Sequence, residues 1–100
     1  MKSISVQALR QQLSQGAVVQ LIDVREPFEH EAFNIGGLLI PMNRIFENIS
    51  LLLSEKTTVI YCQKGIRSQL VIQRIEEKYG PTHLINLAGG MDAWMKSDTN

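Results

Sequence analysis

The pattern of apolar and polar positions changes period most sharply in the middle of the chain. Thr57 to Tyr61 is a β-branched and aromatic run, the composition of a central strand. From Arg67 to Tyr79 the apolar residues Val71, Ile75 and Tyr79 recur every four positions with Leu70 and Ile72 beside them. Gln69, Gln73, Arg74, Glu76, Glu77 and Lys78 take the other side, which predicts an amphipathic helix. Before this pair, Lys2 to Ile4 reads as extended. Ser5 is a candidate N-cap for a helix with the stripe Val6, Leu9 and Leu13, ended by Gly16. Val18 to Ile22 is nearly all apolar, as in a strand covered on both faces, and Asp23 closes it. Glu26 to Phe33 reads as a short helix with Pro27 in its first turn. Leu38 to Ile40 is a third strand stopped by Pro41.

Asn43 to Leu53 is helical in pattern, with Ile45, Phe46, Ile49 and Leu53 as the expected core face; Ser54 to Lys56 form a polar turn. Gly80-Pro81 break the chain after the long helix, His83 to Leu87 is a last strand, and Gly89-Gly90 allow a sharp turn. Met91 to Met95 begin a terminal helix anchored in the core by Trp94, and Ser97 to Asn100 are expected to fray. Strands alternating with helical segments predict an α/β domain: a parallel sheet of roughly five strands with helices on both faces, one unit over residues 1–100.

Composition narrows the function without choosing it. One hundred residues with 44% hydrophobic content are enough for one core. Ten basic and ten acidic residues cancel, so no nucleic-acid or anionic-membrane partner is implied. The single cysteine excludes an internal disulfide, a cysteine-only metal cluster and a two-cysteine redox cycle within the chain. The N-terminal residues lack an apolar signal segment and no run approaches membrane-spanning length, so a reducing, cytoplasmic setting is expected. No metal or cofactor is called for.

That cysteine, Cys62, falls where the central strand gives way to the long helix, an edge at which open α/β sheets place their sites. A helix beginning near Ile66 points unpaired N–H groups back toward Cys62. Gly65 lets the backbone turn tightly so that several N–H groups converge, and Lys64 and Arg67 add positive charge. Such surroundings favour the nucleophilic thiolate and an anionic electrophile. A cysteine can also be a small buried hydrophobe capping a strand, but the glycine, the two cations and the junction together tip the balance toward chemistry. Asp23 has two readings: it bonds nearby backbone, or it holds Arg25 or the Cys62 loop in place. Glu26, Glu29 and Glu31 read as a solvated helix face and His30 as a surface residue, since the chemistry expected below needs no base.

At these residues the chain resembles a known family. Cys62-Gln63-Lys64-Gly65-Ile66-Arg67-Ser68 resembles the active-site loop of the rhodanese (single-domain sulfurtransferase) family, from the persulfide-bearing cysteine to the arginine that closes the loop. Leu21-Ile22-Asp23-Val24-Arg25-Glu26-Pro27-Phe28-Glu29, continuing to Ile40-Pro41, is similar to the family's first signature. Leu87-Ala88-Gly89-Gly90-Met91-Asp92-Ala93-Trp94 is similar to its C-terminal one. The similarity extends to the rhodanese modules fused to ubiquitin-like-protein-activating enzymes. Asn34, Gly36 and Leu38 depart from the family's usual His, Pro-Gly and Ala pattern.

The resemblance implies a three-layer α/β/α rhodanese-like domain with strand order 3-2-4-5-1, and transfer of sulfane sulfur. Cys62 would take the outer sulfur of a small anionic donor such as thiosulfate and pass it to a thiophilic acceptor, cyanide in an assay or a thiol-bearing or sulfur-carrier protein. Backbone N–H groups from Gln63 to Ser68 would hold the terminal sulfur, Lys64 would attract the donor, Arg67 would brace the loop by ion pairing, and Asp23 and Arg25 would support it.

Three alternatives stand beside this. One is a persulfide-carrying partner module with little thiosulfate turnover, and another is an inactive docking domain. The third is a Cdc25-like phosphatase or arsenate reductase, whose loop has five residues between Cys and Arg where this chain has four.

Overall fold

A computed structural model describes residues 1–97. Its elements in chain order are β1 (Lys2–Ile4), α1 (Val6–Ser14), β2 (Gln20–Asp23), α2 (Pro27–Ala32), β3 (Leu38–Leu39), a 3-10 helix (Met42–Asn48), α3 (Ile49–Leu52), β4 (Thr58–Tyr61), α4 (Ile66–Tyr79), β5 (Leu84–Leu87) and α5 (Gly90–Ser97). The strands form one parallel sheet in the order β1-β5-β4-β2-β3, the order 3-2-4-5-1 read from its other edge.

Alternation along β4 divides the core in two. Ile60, with Cys62 beyond the strand, joins Ile22, Leu84 and the inner faces of α4, α3 and the 3-10 helix: Val71, Ile72, Ile75, Leu52 and Ile45. Val59 and Tyr61 face the other way, toward Val6 and Leu9 of α1 and Met91 of α5. Helices therefore cover both faces of the sheet, which is the three-layer arrangement the alternating pattern predicts. None of the helices among the described residues is long and apolar enough to cross a membrane.

Local signals set most element ends. The Ser5 hydroxyl accepts from the Ala8 N–H at 3.1 Å and starts α1. Gly65 and Gly80, with φ of +88° and +85°, bracket α4.

In two places the structure departs from the sequence pattern. The second strand begins at Gln20, and Val18 is 93% exposed. The limit is set by pairing: Gln20 lies opposite Thr58, where β4 itself begins, so Val18 and Val19 have no strand to bond. The segment expected to be one helix over Asn43 to Leu53 starts as a 3-10 helix. Three residues per turn instead of 3.6 rotates side chains off the expected stripe. Ile45 and Leu52 are buried, whereas Phe46 and Leu53 are exposed.

Trp94 sits in the second core layer with the Arg10 guanidinium stacked 3.8 Å from its ring centroid, which ties α5 to α1. Ser97 is the last residue of α5, and its hydroxyl donates to the Trp94 carbonyl at 2.6 Å. The rest of the segment expected to fray, residues 98–100, lies outside the described residues.

Candidate functional site

Cys62 follows β4 directly and is buried at the floor of a cleft of about 310 Å³ lined by Glu29, Cys62, Gln63, Lys64, Ile66 and Arg67. The chain between β4 and α4 wraps around its sulfur. Sγ accepts from the Gly65 N–H at 3.1 Å and the Ser68 N–H at 3.3 Å, and the Ser68 hydroxyl lies 3.4 Å away. Ser68 belongs to the first turn of α4, so its N–H is one of the groups that a helix start leaves without a partner in the helix. Two backbone N–H dipoles therefore converge on the sulfur.

The outer side of the loop is tied down from α5. The Met91 and Asp92 N–H groups donate to the Cys62 and Gln63 carbonyls, each at 2.9 Å. In a trans peptide the N–H points opposite the C=O, so this turns the Gln63 and Lys64 N–H groups away from α5. The approach is close: a Cβ on Gly90 would stand 2.4 Å from the Cys62 carbonyl oxygen, and Gly90 has φ of +57°. Only glycine satisfies both demands without displacing the loop.

Side chains complete the support. Asp23 and Arg25 are both buried and pair in a bidentate contact, Nε to Oδ1 at 2.9 Å and Nη2 to Oδ2 at 2.8 Å. Burial raises the Asp23 carboxyl, but the hydrogen bonds from Arg25 and His30 outweigh it and leave its pKa lowered. Arg25 Nη1 donates to Gln63 Oε1 at 2.9 Å, while Gln63 Nε2 donates to Asp92 Oδ1 at 2.6 Å. The Gln63 amide is thus gripped at both ends beside Cys62. Behind it, Tyr61 is pushed up to about 12, first by burial and then by the Asp23 charge, and stays neutral.

Arg67 reaches across the cleft wall to Glu29 on α2, Nη1 to Oε1 at 2.8 Å and Nη2 to Oε2 at 2.9 Å. The bond from Arg67 is the main reason the Glu29 carboxyl falls to about 2. Lys64 is exposed at the rim.

Two expectations are corrected here. Glu29 is not part of a solvated helix face: its side chain is only 18% exposed, and it holds Arg67 while accepting from the Glu26 N–H at 3.0 Å. Glu26 and Glu31 are exposed as expected. His30 is not a free surface residue either, because its Nδ1 lies 2.9 Å from Asp23 Oδ2 and its side chain is 22% exposed. In both cases the partner is brought in by the fold. Sequence reasoning also passed over Asn86 and Asp92. Asn86 did carry a signal, being the one polar residue in the apolar strand Leu84–Leu87. Asp92 carried none.

A family model described as "Rhodanese-like domain" matches residues 5–97. The chain is 36% identical to "Probable adenylyltransferase/sulfurtransferase MoeZ" of Mycobacterium tuberculosis over 94% of its own length, but it spans only 24% of that protein. It is 34% identical to a "Sulfurtransferase" of Allochromatium vinosum, covering 93% of this chain and 87% of that one. The crystal structure of a rhodanese-like domain protein from Staphylococcus aureus superposes with a TM-score of 0.83 at 35% identity, over 94% of this chain and 91% of the other.

Proposed function

The chain belongs to the rhodanese-like domain family; from that premise we propose that its chemistry is sulfur transfer and that it acts as a thiosulfate:cyanide-type sulfurtransferase through a persulfide on Cys62. The observation that carries this reading is the Cys62 sulfur itself, held by the Gly65 and Ser68 N–H groups at the floor of a cleft with Lys64 at its rim. The whole chain works as one unit, in a reducing compartment such as the cytoplasm where its sole thiol stays reduced.

In the first step the Cys62 thiolate attacks the outer sulfur of thiosulfate. The Cys62 S–S bond forms as the donor's S–S bond breaks, and sulfite leaves with the electron pair. In the second step cyanide or a thiolate attacks the terminal sulfur, and the Cys62 thiolate departs as the leaving group. The Gly65 and Ser68 N–H groups stabilise the sulfur whenever it carries charge. The Gln63, Lys64 and Ile66 N–H groups are the next available donors for the terminal sulfur, and the Lys64 ammonium draws the anionic donor to the cleft. Arg67 acts through structure: Nη1 and Nη2 each donate to Glu29, which fixes the loop against α2. The four-residue spacing between Cys62 and Arg67 weighs against the phosphatase alternative.

The relay alternative keeps the persulfide but replaces thiosulfate and cyanide with protein donors and acceptors. It is favoured by Ile66, an apolar side chain 68% exposed in the wall of the cleft, and by the similarity to MoeZ.

The test is intact-protein mass spectrometry after incubation with thiosulfate. One added sulfur atom, removable by dithiothreitol and absent in Cys62→Ser, is the expected result. The same adduct on Cys62→Ser refutes the assignment of the reactive residue. No adduct on the wild type with thiosulfate, but one with a protein persulfide, selects the relay.

A further inference from the structure

Asn86 is the polar exception in β5, the strand next to β4, and it is 5% exposed. A buried amide must satisfy both ends, and Asn86 does so on one target, the loop around Cys62. Its Oδ1 can only accept, so the Ser68 hydroxyl donates to it, at 2.5 Å. Its Nδ2 reaches the Gly65 carbonyl at 3.4 Å. Gly65 and Ser68 are also the two residues whose N–H groups hold the Cys62 sulfur, at 3.1 and 3.3 Å. One side chain, distant in sequence, therefore grips the two residues that grip the sulfur.

We propose that Asn86 is a positioning residue of the sulfur cradle, acting through Gly65 and Ser68 without touching the reacting atoms. The inference rests on the sulfur-transfer reading for its purpose, though not for its geometry. Gly65 has φ of +88° and precedes the first turn of α4; its carbonyl lies on the peptide that joins it to Ile66, so the Asn86 contact fixes that peptide and, through the two Gly65 torsions, the direction of the Gly65 N–H. Ser68 Oγ has one proton and two neighbours, Asn86 Oδ1 and Cys62 Sγ. With that proton committed to Asn86, the Ser68 side chain is held in one rotamer and its backbone N–H stays on the sulfur. Without Asn86, the hydroxyl and the Gly65 carbonyl lose their anchors together and the two donors to sulfur drift. Two fixed donors reduce to two mobile ones, and the thiolate loses its preorganised support.

The experiment replaces Asn86 with leucine, close in shape and suited to its apolar neighbours, and reads two rates. The first is alkylation of Cys62 by iodoacetamide near neutral pH, which needs no sulfur transfer. The second is sulfur transfer from thiosulfate to cyanide. Asn86→Leu is expected to melt cooperatively close to the wild type and to slow alkylation about fivefold or more. It should lower kcat about tenfold while changing KM less than threefold, since the anionic donor is still drawn to the same cleft. Ser68→Ala combined with Asn86→Leu should cost less than the product of the two single effects, because they act through one path.

Alkylation within twofold of the wild type, or strict additivity with Ser68→Ala, overturns the proposal. A residue that only packed would lower the melting temperature and leave alkylation below it unchanged. If leucine abolishes the cooperative melt, Asn86→Ala is read by the same criteria. A wild type that takes no sulfur sinks the functional reading alone, since alkylation still decides the role of Asn86.

Discussion

Asp23 and Arg25 stand two residues apart in the sequence, and the fold buries both almost completely. A buried pair of this kind contributes little net stability, but removing one partner strands the other's charge, at a cost of about 3–5 kcal/mol. Arg25→Ala should therefore lower the urea midpoint steeply, whereas Arg25→Lys, which keeps the charge but loses the bidentate fork, should recover only part of the loss. Equal stability of Arg25→Ala and wild type would show that His30, already 2.9 Å from Asp23 Oδ2, suffices as its partner.

Lys64 is the opposite case, an exposed cation at the rim. On the proposed function, Lys64→Ala should raise the thiosulfate KM severalfold with a smaller fall in kcat, and an unchanged KM in steady-state assays would leave it a solvated side chain.

Residues of these two kinds differ in how far the sequence shows them. Cys62, Lys64 and Gly65 were legible because the chemistry they suggest is local: a thiol, a charge and a turn within four positions. Glu29, His30 and Asn86 were not, because each is defined by a partner. Glu29 meets Arg67 across 38 positions and Asn86 meets Ser68 across 18, and no local period encodes either contact.

At the scale of elements, the cleft depends not only on the helix that follows Cys62 but also on the one that ends the described chain. The N-terminus of α5 holds the Cys62 and Gln63 carbonyls, and it comes near enough only because Gly90 lacks a side chain. Gly90→Ala places a methyl against backbone and forces an L-residue to positive φ, so it should destabilise by more than about 1 kcal/mol. It should also reduce sulfur transfer well beyond what the melting temperature explains. A variant with wild-type rate and melt would mean that the loop relaxes freely.

The Gly89-Gly90 pair was legible as a sharp turn, whereas the purpose of the turn was not. Strand identities and order followed from alternating pattern and family resemblance. The 3-10 segment at Met42–Asn48 escaped the same reasoning because apolar residues three and four positions apart fit either period over so short a segment.

At the scale of the molecule, the ion pair between α2 and α4 makes stability depend on acid. The Glu29 carboxyl drops from 4.5 to about 2 on folding, chiefly through the bond from Arg67. A lowered folded value means that the unfolded chain takes up the proton first. The pair's stabilisation is therefore complete above about pH 4.5 and is lost as the pH falls toward 2. Because the Arg67 side chain is 36% exposed, screening reduces the contribution to about 1 kcal/mol. Denaturant melts of wild type and Glu29→Gln should differ by about that amount near neutrality and converge at strongly acidic pH. A difference that persists in acid would mean that Glu29 acts through something other than its charge.

The depth of Cys62 has a further consequence for how two molecules meet. With Cys62 only 1% exposed at the floor of its cleft, the sulfurs of two folded copies cannot come within the roughly 2 Å of an S–S bond, even though each chain carries an unpaired cysteine. Oxidation should leave the protein monomeric on a non-reducing gel. On the proposed function, a sulfur added to Cys62 stands about one S–S bond farther out, at the level of the cleft. The atom to be given away is then within reach of an acceptor, while the atom that must be kept stays under the loop. Burial thus sorts the two sulfurs by distance, letting the cargo be handed over without the carrier being captured.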